Sequence, residues 1–477
     1  MKLKHIALAI AAAAAGQAFA STTAPVNVAT IPAANFIYYT GASAPTNIVY
    51  NALSTLCDAG TMTVYTKNNI SATAVPGDSS MGGSMGYTCH VRADAGTTVD
   101  GQDIAFLFQN SGGSINSVYG MNNATKKKFI DIASATCVAS GFNTNDTNVY
   151  TIKENCPETI SRVSHGGFSD VEKQLWVDAF AAVPIADFNV ADVVVTAVQA
   201  GQPFGIAVSR PLYKAMQDAQ GITGTGSPAC NENNQEARCQ PSITKRQYAS
   251  IVKNDPFSPT KTDWSFLVGA AGAGQAVNVC RRPPTSGTQA SSNAFFMDNP
   301  CAGFADRSGE QAAARFTDSV PGSFVVHEMS GTGDVKECLS GVDINADGKL
   351  GAGENFDIGL SPNANTTPAD WSVGVVSAEN TPKTTSATET WRMVKLDGVE
   401  SVDGVRNVAS TTSGKYDFAF ELALHTHPTI TSAVAESVFQ AMAVSMGDVS
   451  LPAITGLYRL SEAVGTRGGN SCAPFSF

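Results

Sequence analysis

Four short segments of this 477-residue chain place glycine and hydroxyl residues where an apolar run ends and a helical pattern begins. Thr40-Gly41-Ala42-Ser43 follows Phe36-Ile37-Tyr38-Tyr39 and precedes Pro45, so Ser43 suits the N-cap and Pro45 the first turn of a helix. Ser111-Gly112-Gly113-Ser114 follows the apolar run from Ile104 to Phe108, and Ser169-Asp170 follows Gly166-Gly167-Phe168. Arg282 stands just before Ser286-Gly287-Thr288, between the strand-like Val277 to Cys280 and the helix-like Ala290 to Met297. A helix start of this kind leaves backbone N–H groups unpaired and adds the positive end of the helix dipole, which suits an oxyanion. The guanidinium contributes a permanent charge and forked donors matched to a tetrahedral anion. Asp170 runs against the pattern, because a carboxylate repels an anion unless it accepts a hydrogen bond from a protonated ligand oxygen. Only a protonated tetrahedral oxyanion satisfies the whole set.

Other motifs carry separate chemistry. Asp343 to Glu354 fits D-x-[DN]-x-[DN]-G-x5-E without a mismatch. Oxygen side chains at Asp343, Asn345, Asp347 and Glu354, a backbone carbonyl at Lys349 and the turn glycine Gly348 are the ligand set of a calcium loop. The flanks are not helical, so a lone structural Ca2+ site is expected and not a paired EF-hand. Gly82 to Gly86 matches G-x-S-x-G around Ser84, but a loop and not a strand precedes it, which disfavours a nucleophile elbow. His425 and His427 alternate along a strand without evident partner ligands, and Lys126 to Lys128 suits a solvated face. The chain has neither GxxxxGK[ST] nor HExxH, which removes nucleotide hydrolysis and zincin proteolysis as leading ideas.

The elements that must position these residues read as α/β layers. Strand-like apolar runs (35–39, 104–108, 193–198, 277–280) alternate with helical patterns, an arrangement that predicts parallel strands. Segments rich in Gly, Ser, Asn and Pro at 76–86, 220–240, 283–292 and 331–366 read as surface insertions, and no fixed-period repeat is present. Residues 1–20 show basic Lys2 and Lys4, an apolar run and Ala18-Phe19-Ala20, the form of a signal peptide cleaved after Ala20. No later segment is apolar enough to span a bilayer, so the mature chain is expected in the periplasm or outside the cell. Ten cysteines without a CxxC pair suggest disulfides. Spacing leaves their connectivity open; neighbour pairing would join Cys137 with Cys156, Cys230 with Cys239 and Cys280 with Cys301. A formal charge of −11 with only 15% charged residues speaks against a nucleic-acid binder.

The succession of the four segments resembles the phosphate-binding proteins that serve bacterial ABC phosphate importers, members of the type II periplasmic binding protein family. A Gly-Ala-Ser turn, a Gly-Ser turn, a Ser-Asp pair and Arg-x-x-x-Ser-Gly-Thr follow one another there as Thr40 to Ser43, Ser111 to Ser114, Ser169-Asp170 and Arg282 with Ser286 to Thr288 do here. Val183-Pro184-Ile185, Ile243 to Trp264, Trp371 to Val375 and Val394 to Val399 resemble further blocks between residues 35 and 425. The resemblance implies a two-lobed type II periplasmic binding protein fold with a hinge, plus disulfide-rich insertions. Lobe one would comprise 21–208 and 371–477, and lobe two 209–370. It further implies non-catalytic capture of phosphate, with an ABC transporter permease as partner. Ser43, Ser169, Arg282, Ser286 and Thr288 would donate to the anion, Ser111 or Ser114 would supply the second-turn hydroxyl, and Asp170 would select hydrogen phosphate over sulfate. The chain departs from the family at Pro283-Pro284-Thr285, which removes two N–H donors and an acidic neighbour of the arginine. The competing expectation is structural: an exported surface or fibre protein that reuses the same fold.

Overall fold

The computed structural model describes residues 24–42, 46–67, 83–140, 148–176, 188–222, 224, 228–253, 263–302, 324–329, 331–341, 371–401, 408–449 and 456–477. Residues 1–20, expected to be a leader, Ser43 and residues 343–354, expected to bind calcium, lie outside the described residues. Among the described residues the fold is mixed α/β, with two large sheets, each carrying its own apolar core, and a two-stranded sheet of Lys127–Phe129 and Ile160–Arg162.

The first sheet is built on Phe36–Thr40, whose β-branched and aromatic residues pair in parallel with Asp103–Gln109, Phe36 opposite Ala105 and Thr40 opposite Gln109. Ser84–His90 joins Asp103–Gln109 antiparallel, and Met62–Thr66 follows on its other side. Simple alternation predicts parallel strands throughout, and this sheet is mixed instead. The connection 91–102 is built of turns and carries no helix, so it reverses the chain instead of crossing over. The helix Thr46–Leu56 presents Ile48, Val49, Ala52, Leu53 and Leu56 at helical spacing and buries them in this core. Val438, Phe439 and Met442 of the helix Ala433–Ser445 fill the same core from the far end of the sequence.

The second sheet runs Ser242–Ile243, Arg392–Leu396, Val194–Val208, Ser372–Ser377, Val277–Arg281, Phe324–Glu328. Two long strands link the cores. Val194–Val208 pairs antiparallel with Ala419–Thr426 through a bulge between Ala197 and Gly201. Val198 and Leu424 lie in the first core, whereas Phe204, Ile206 and Phe420 lie in the second. The segment 283–292, read from composition as a surface loop, is instead a turn followed by the start of the buried helix Gly287–Met297.

Five disulfides are present: Cys57–Cys89, Cys137–Cys156, Cys230–Cys239, Cys280–Cys338 and Cys301–Cys472. Two of the neighbour pairings occur; the third, Cys280 with Cys301, does not. Cys280 lies on the strand Val277–Arg281, and the intervening 11-residue helix carries the chain about 16 Å onward before Cys301. A disulfide needs Cα atoms within about 7 Å. Cys338 satisfies this at 6.0 Å, because the helix Thr332–Ser340 packs Val335 and Leu339 into the small core that contains Cys280.

Candidate functional site

Three of the four segments meet around one buried carboxyl group. Asp170 directly follows the strand Gly167–Ser169, which is held by Ala419–Thr426, with Ser169 opposite Ala423. Against it stands the N-terminus of Gly287–Met297. Gly287 has to be glycine here, since a Cβ would overlap Asp170 Oδ2. Ser114 Oγ donates to Asp170 Oδ2 at 2.8 Å and accepts from the Gly287 N–H at 3.0 Å. Gly112 and Gly113 make this approach feasible: both hold positive φ (90° and 87°), and a Cβ at Gly113 would come within 2.7 Å of the Thr285 carbonyl oxygen. The Ile115 N–H donates to that carbonyl at 3.1 Å, which fixes the turn against the loop before the helix.

Arg282 is buried and donates from Nη1 to Thr332 Oγ1 at 3.0 Å. Asp170 Oδ1 and Arg282 Nε are both enclosed without a hydrogen-bond partner. Burial pushes the Asp170 carboxyl up to about 6, although the Ser114 hydrogen bond and the Arg282 charge oppose the shift. Burial likewise lowers Arg282 to about 10 against the attraction of Asp170 and Asp334. Desolvation outweighs mutual attraction for both groups, and each keeps an unpaired polar atom, Asp170 Oδ1 able to accept and Arg282 Nε able to donate.

The remaining residues fall as follows. Ser286 is the N-cap of Gly287–Met297 but makes no side-chain capping bond, and its N–H donates to the Pro283 carbonyl at 2.9 Å. Pro283-Pro284 therefore shapes the turn that launches the helix, while the N–H groups of residues 285–288 are retained. Ser286 and Thr288 are buried beside Gly287, and Ser169 Oγ accepts from the Val171 N–H at 3.2 Å. Ser111 lies apart: it is exposed, its N–H donates to Gln109 Oε1 and its carbonyl accepts from Asn116 Nδ2, so Ser114 and not Ser111 reaches Asp170. The Thr40 hydroxyl is spent on the Asn116 carbonyl at 2.7 Å. Gly41 and Ala42 run beside the strand that leads to Asp170, with Ala42 N–H donating to the Phe168 carbonyl at 3.0 Å.

Sequence reading missed three contributors. Thr332 opens its helix after Gly331, whose N–H donates to Asp334 Oδ2, and Gly331-Thr332-Gly333-Asp334 was a readable helix start. Ser117 Oγ lies 2.7 Å from both the Ser114 carbonyl and His425 Nδ1. His425 is thereby part of a buried brace for the Ser114 turn. His427, beyond the strand end, accepts from the Thr429 N–H. Among the described residues no cluster of three or more His, Cys, Asp or Glu could hold a metal ion. Ser84 begins a strand and is buried, without the strand-to-helix turn of a nucleophile elbow.

No family model and no curated protein matches this chain. It is similar to a solved phosphate ABC transporter substrate-binding protein from Clostridium perfringens with bound phosphate, at 13% identity and a TM-score of 0.28 over 57% of this chain and 79% of that one. It is also similar to an ABC-type phosphate transport receptor from Vibrio cholerae, at 12% identity and a TM-score of 0.28 over 59% of this chain and 74% of that one.

Proposed function

We propose that this chain is an exported solute-binding protein that captures phosphate, or another protonated tetrahedral oxyanion, without catalysing a reaction. One observation carries the reading: Asp170, buried with Oδ1 unpaired, stands against the N-terminus of Gly287–Met297 beside buried Arg282. The helix dipole and guanidinium attract negative charge, while the carboxylate accepts only from a ligand that keeps a proton. Ser169, Ser286 and Thr288 flank the same position, and we assign Ser43 to the site as a further donor. Five disulfides fit an oxidising compartment, and no helix among the described residues is long and apolar enough to cross a membrane. We assign residues 1–20 as a leader, an ABC permease as the receiving partner, and Asp343, Asn345, Asp347, Lys349 and Glu354 as a structural calcium loop. The two cores serve as two lobes. Because Ser372–Ser377 and Arg392–Leu396 pack in the second core, that lobe extends to about residue 396.

Calorimetric titration of the anion-stripped mature chain with phosphate and then sulfate tests the reading. Micromolar phosphate binding is expected with sulfate excluded. Arg282→Ala should weaken it at least a hundredfold, and Asp170→Asn should admit sulfate. Absence of heat with either anion would remove the receptor reading and favour the surface-protein alternative.

A further inference from the structure

The Ser114 hydroxyl makes the same pair of bonds that one protonated oxygen of the ligand would make: it accepts from Gly287 N–H at 3.0 Å and donates to Asp170 Oδ2 at 2.8 Å. A P–OH group does the same, receiving from a helix N–H while giving its proton to a carboxylate. Ser114 is enclosed, and its turn is anchored by Ile115 N–H on the Thr285 carbonyl and braced by Ser117 and His425. The neighbouring polar atoms Asp170 Oδ1 and Arg282 Nε stay unpaired. The chain thus completes part of its own site and leaves the rest unmet. Arg282 is similarly held by a hydroxyl of the chain, Thr332 Oγ1 at 3.0 Å.

We propose that Ser114 is a built-in surrogate for the ligand, occupying the place of its protonated oxygen and latching the Gly112–Ile115 turn to the N-terminus of Gly287–Met297 until the anion displaces it. This rests on the oxyanion-binding reading and deepens it. The incoming oxygen must be at once acceptor and donor, as hydrogen phosphate is and sulfate is not, and it is Asp170 that imposes this requirement. It also lowers apparent affinity, because binding has to break two existing hydrogen bonds before it makes its own. Ser114 is therefore a competitor of the ligand and not one of its donors.

Inorganic phosphate titrated into the wild-type chain and into Ser114→Ala separates these roles. The surrogate model expects Ser114→Ala to bind phosphate about ten- to a hundredfold more tightly, the effect of two competing hydrogen bonds. Equal or weaker binding by Ser114→Ala, with the wild type still binding, would overturn the surrogate and leave the receptor reading intact. If neither chain binds phosphate at millimolar concentration, both fall and the Ser114–Asp170–Gly287 contact is a structural fastener. A stopped-flow measurement on the wild type keeps the test open should Ser114→Ala fail to fold. The observed association rate should level off as phosphate rises, because the ligand waits for the hydroxyl to leave; a rate that stays linear in phosphate overturns the latch.

Discussion

A carboxyl group beside a helix N-terminus and a guanidinium should, from Coulomb attraction alone, ionise more readily than in water. Asp170 does the reverse, with burial carrying it from 3.8 up to about 6. Neither Ser114 nor Arg282 saturates it, since Oδ1 has no partner. A folded-state pKa above the unfolded value means that the native chain holds the proton more tightly between pH 4 and 6. The stability contributed by this group is therefore fully present below about pH 4 and is lost as pH rises through about 6, by up to about 3 kcal/mol for a shift of this size. In phosphate-free buffers, urea unfolding of the wild type should show this decline from this group, and Asp170→Asn should lack it. Matching slopes in the two chains would contradict the assignment. Asp170 and Arg282 were legible as residues because a carboxylate and a guanidinium near glycine-hydroxyl turns are chemically out of the ordinary. The contacts of Thr332 with Arg282 and of Ser117 with His425 were not, since in each the partner is distant in sequence.

At the scale of elements, local signals were legible where the physics is local. Thr244 caps Lys245–Val252 with its hydroxyl accepting from Gln247 N–H at 3.1 Å while Gln247 Oε1 accepts from Thr244 N–H at 2.8 Å, a pattern visible as Thr-x-x-Gln. The disulfides that depend on packing were not legible in this way. Cys301–Cys472 ties the segment that follows Gly287–Met297 to the C-terminal segment, where Ser471 N–H donates to Glu172, two residues after Asp170. It spans 171 residues against 9 for Cys230–Cys239. On the chain-entropy estimate, removing it costs about 5 kcal/mol and removing the short one about 2.5. Thermal unfolding of the paired Cys→Ala variants should therefore rank Cys301/Cys472 as the more destabilised. Equal losses would show that native packing, and not chain constraint, sets the contribution.

At the scale of the whole molecule, two cores share two long strands, so the parts that hold Asp170 and Gly287 are linked by continuous backbone as well as by Ser114. The proposed calcium loop acts at this scale too, since an ion that binds only the folded chain stabilises all of it. Millimolar calcium should raise the melting temperature of the mature chain by about 2–5 °C over the chelated sample. Asp343→Ala with Glu354→Ala should abolish the difference, and an unchanged difference in that variant would locate the ion elsewhere.

The sequence by itself determined the character of the pieces: α/β layering, apolar strands, glycine turns with hydroxyls, an oxidising address and the out-of-place Asp170. These follow from side-chain chemistry and from periods of a few residues, which any stretch of chain carries with it. Tertiary structure alone decided that Ser114 and not Ser111 meets Asp170, that the sheets are mixed, and that Cys280 pairs with Cys338 and Cys301 with Cys472. Each of these depends on which distant segments pack together to bury apolar surface. That is a property of the whole chain, and no local spacing encodes it.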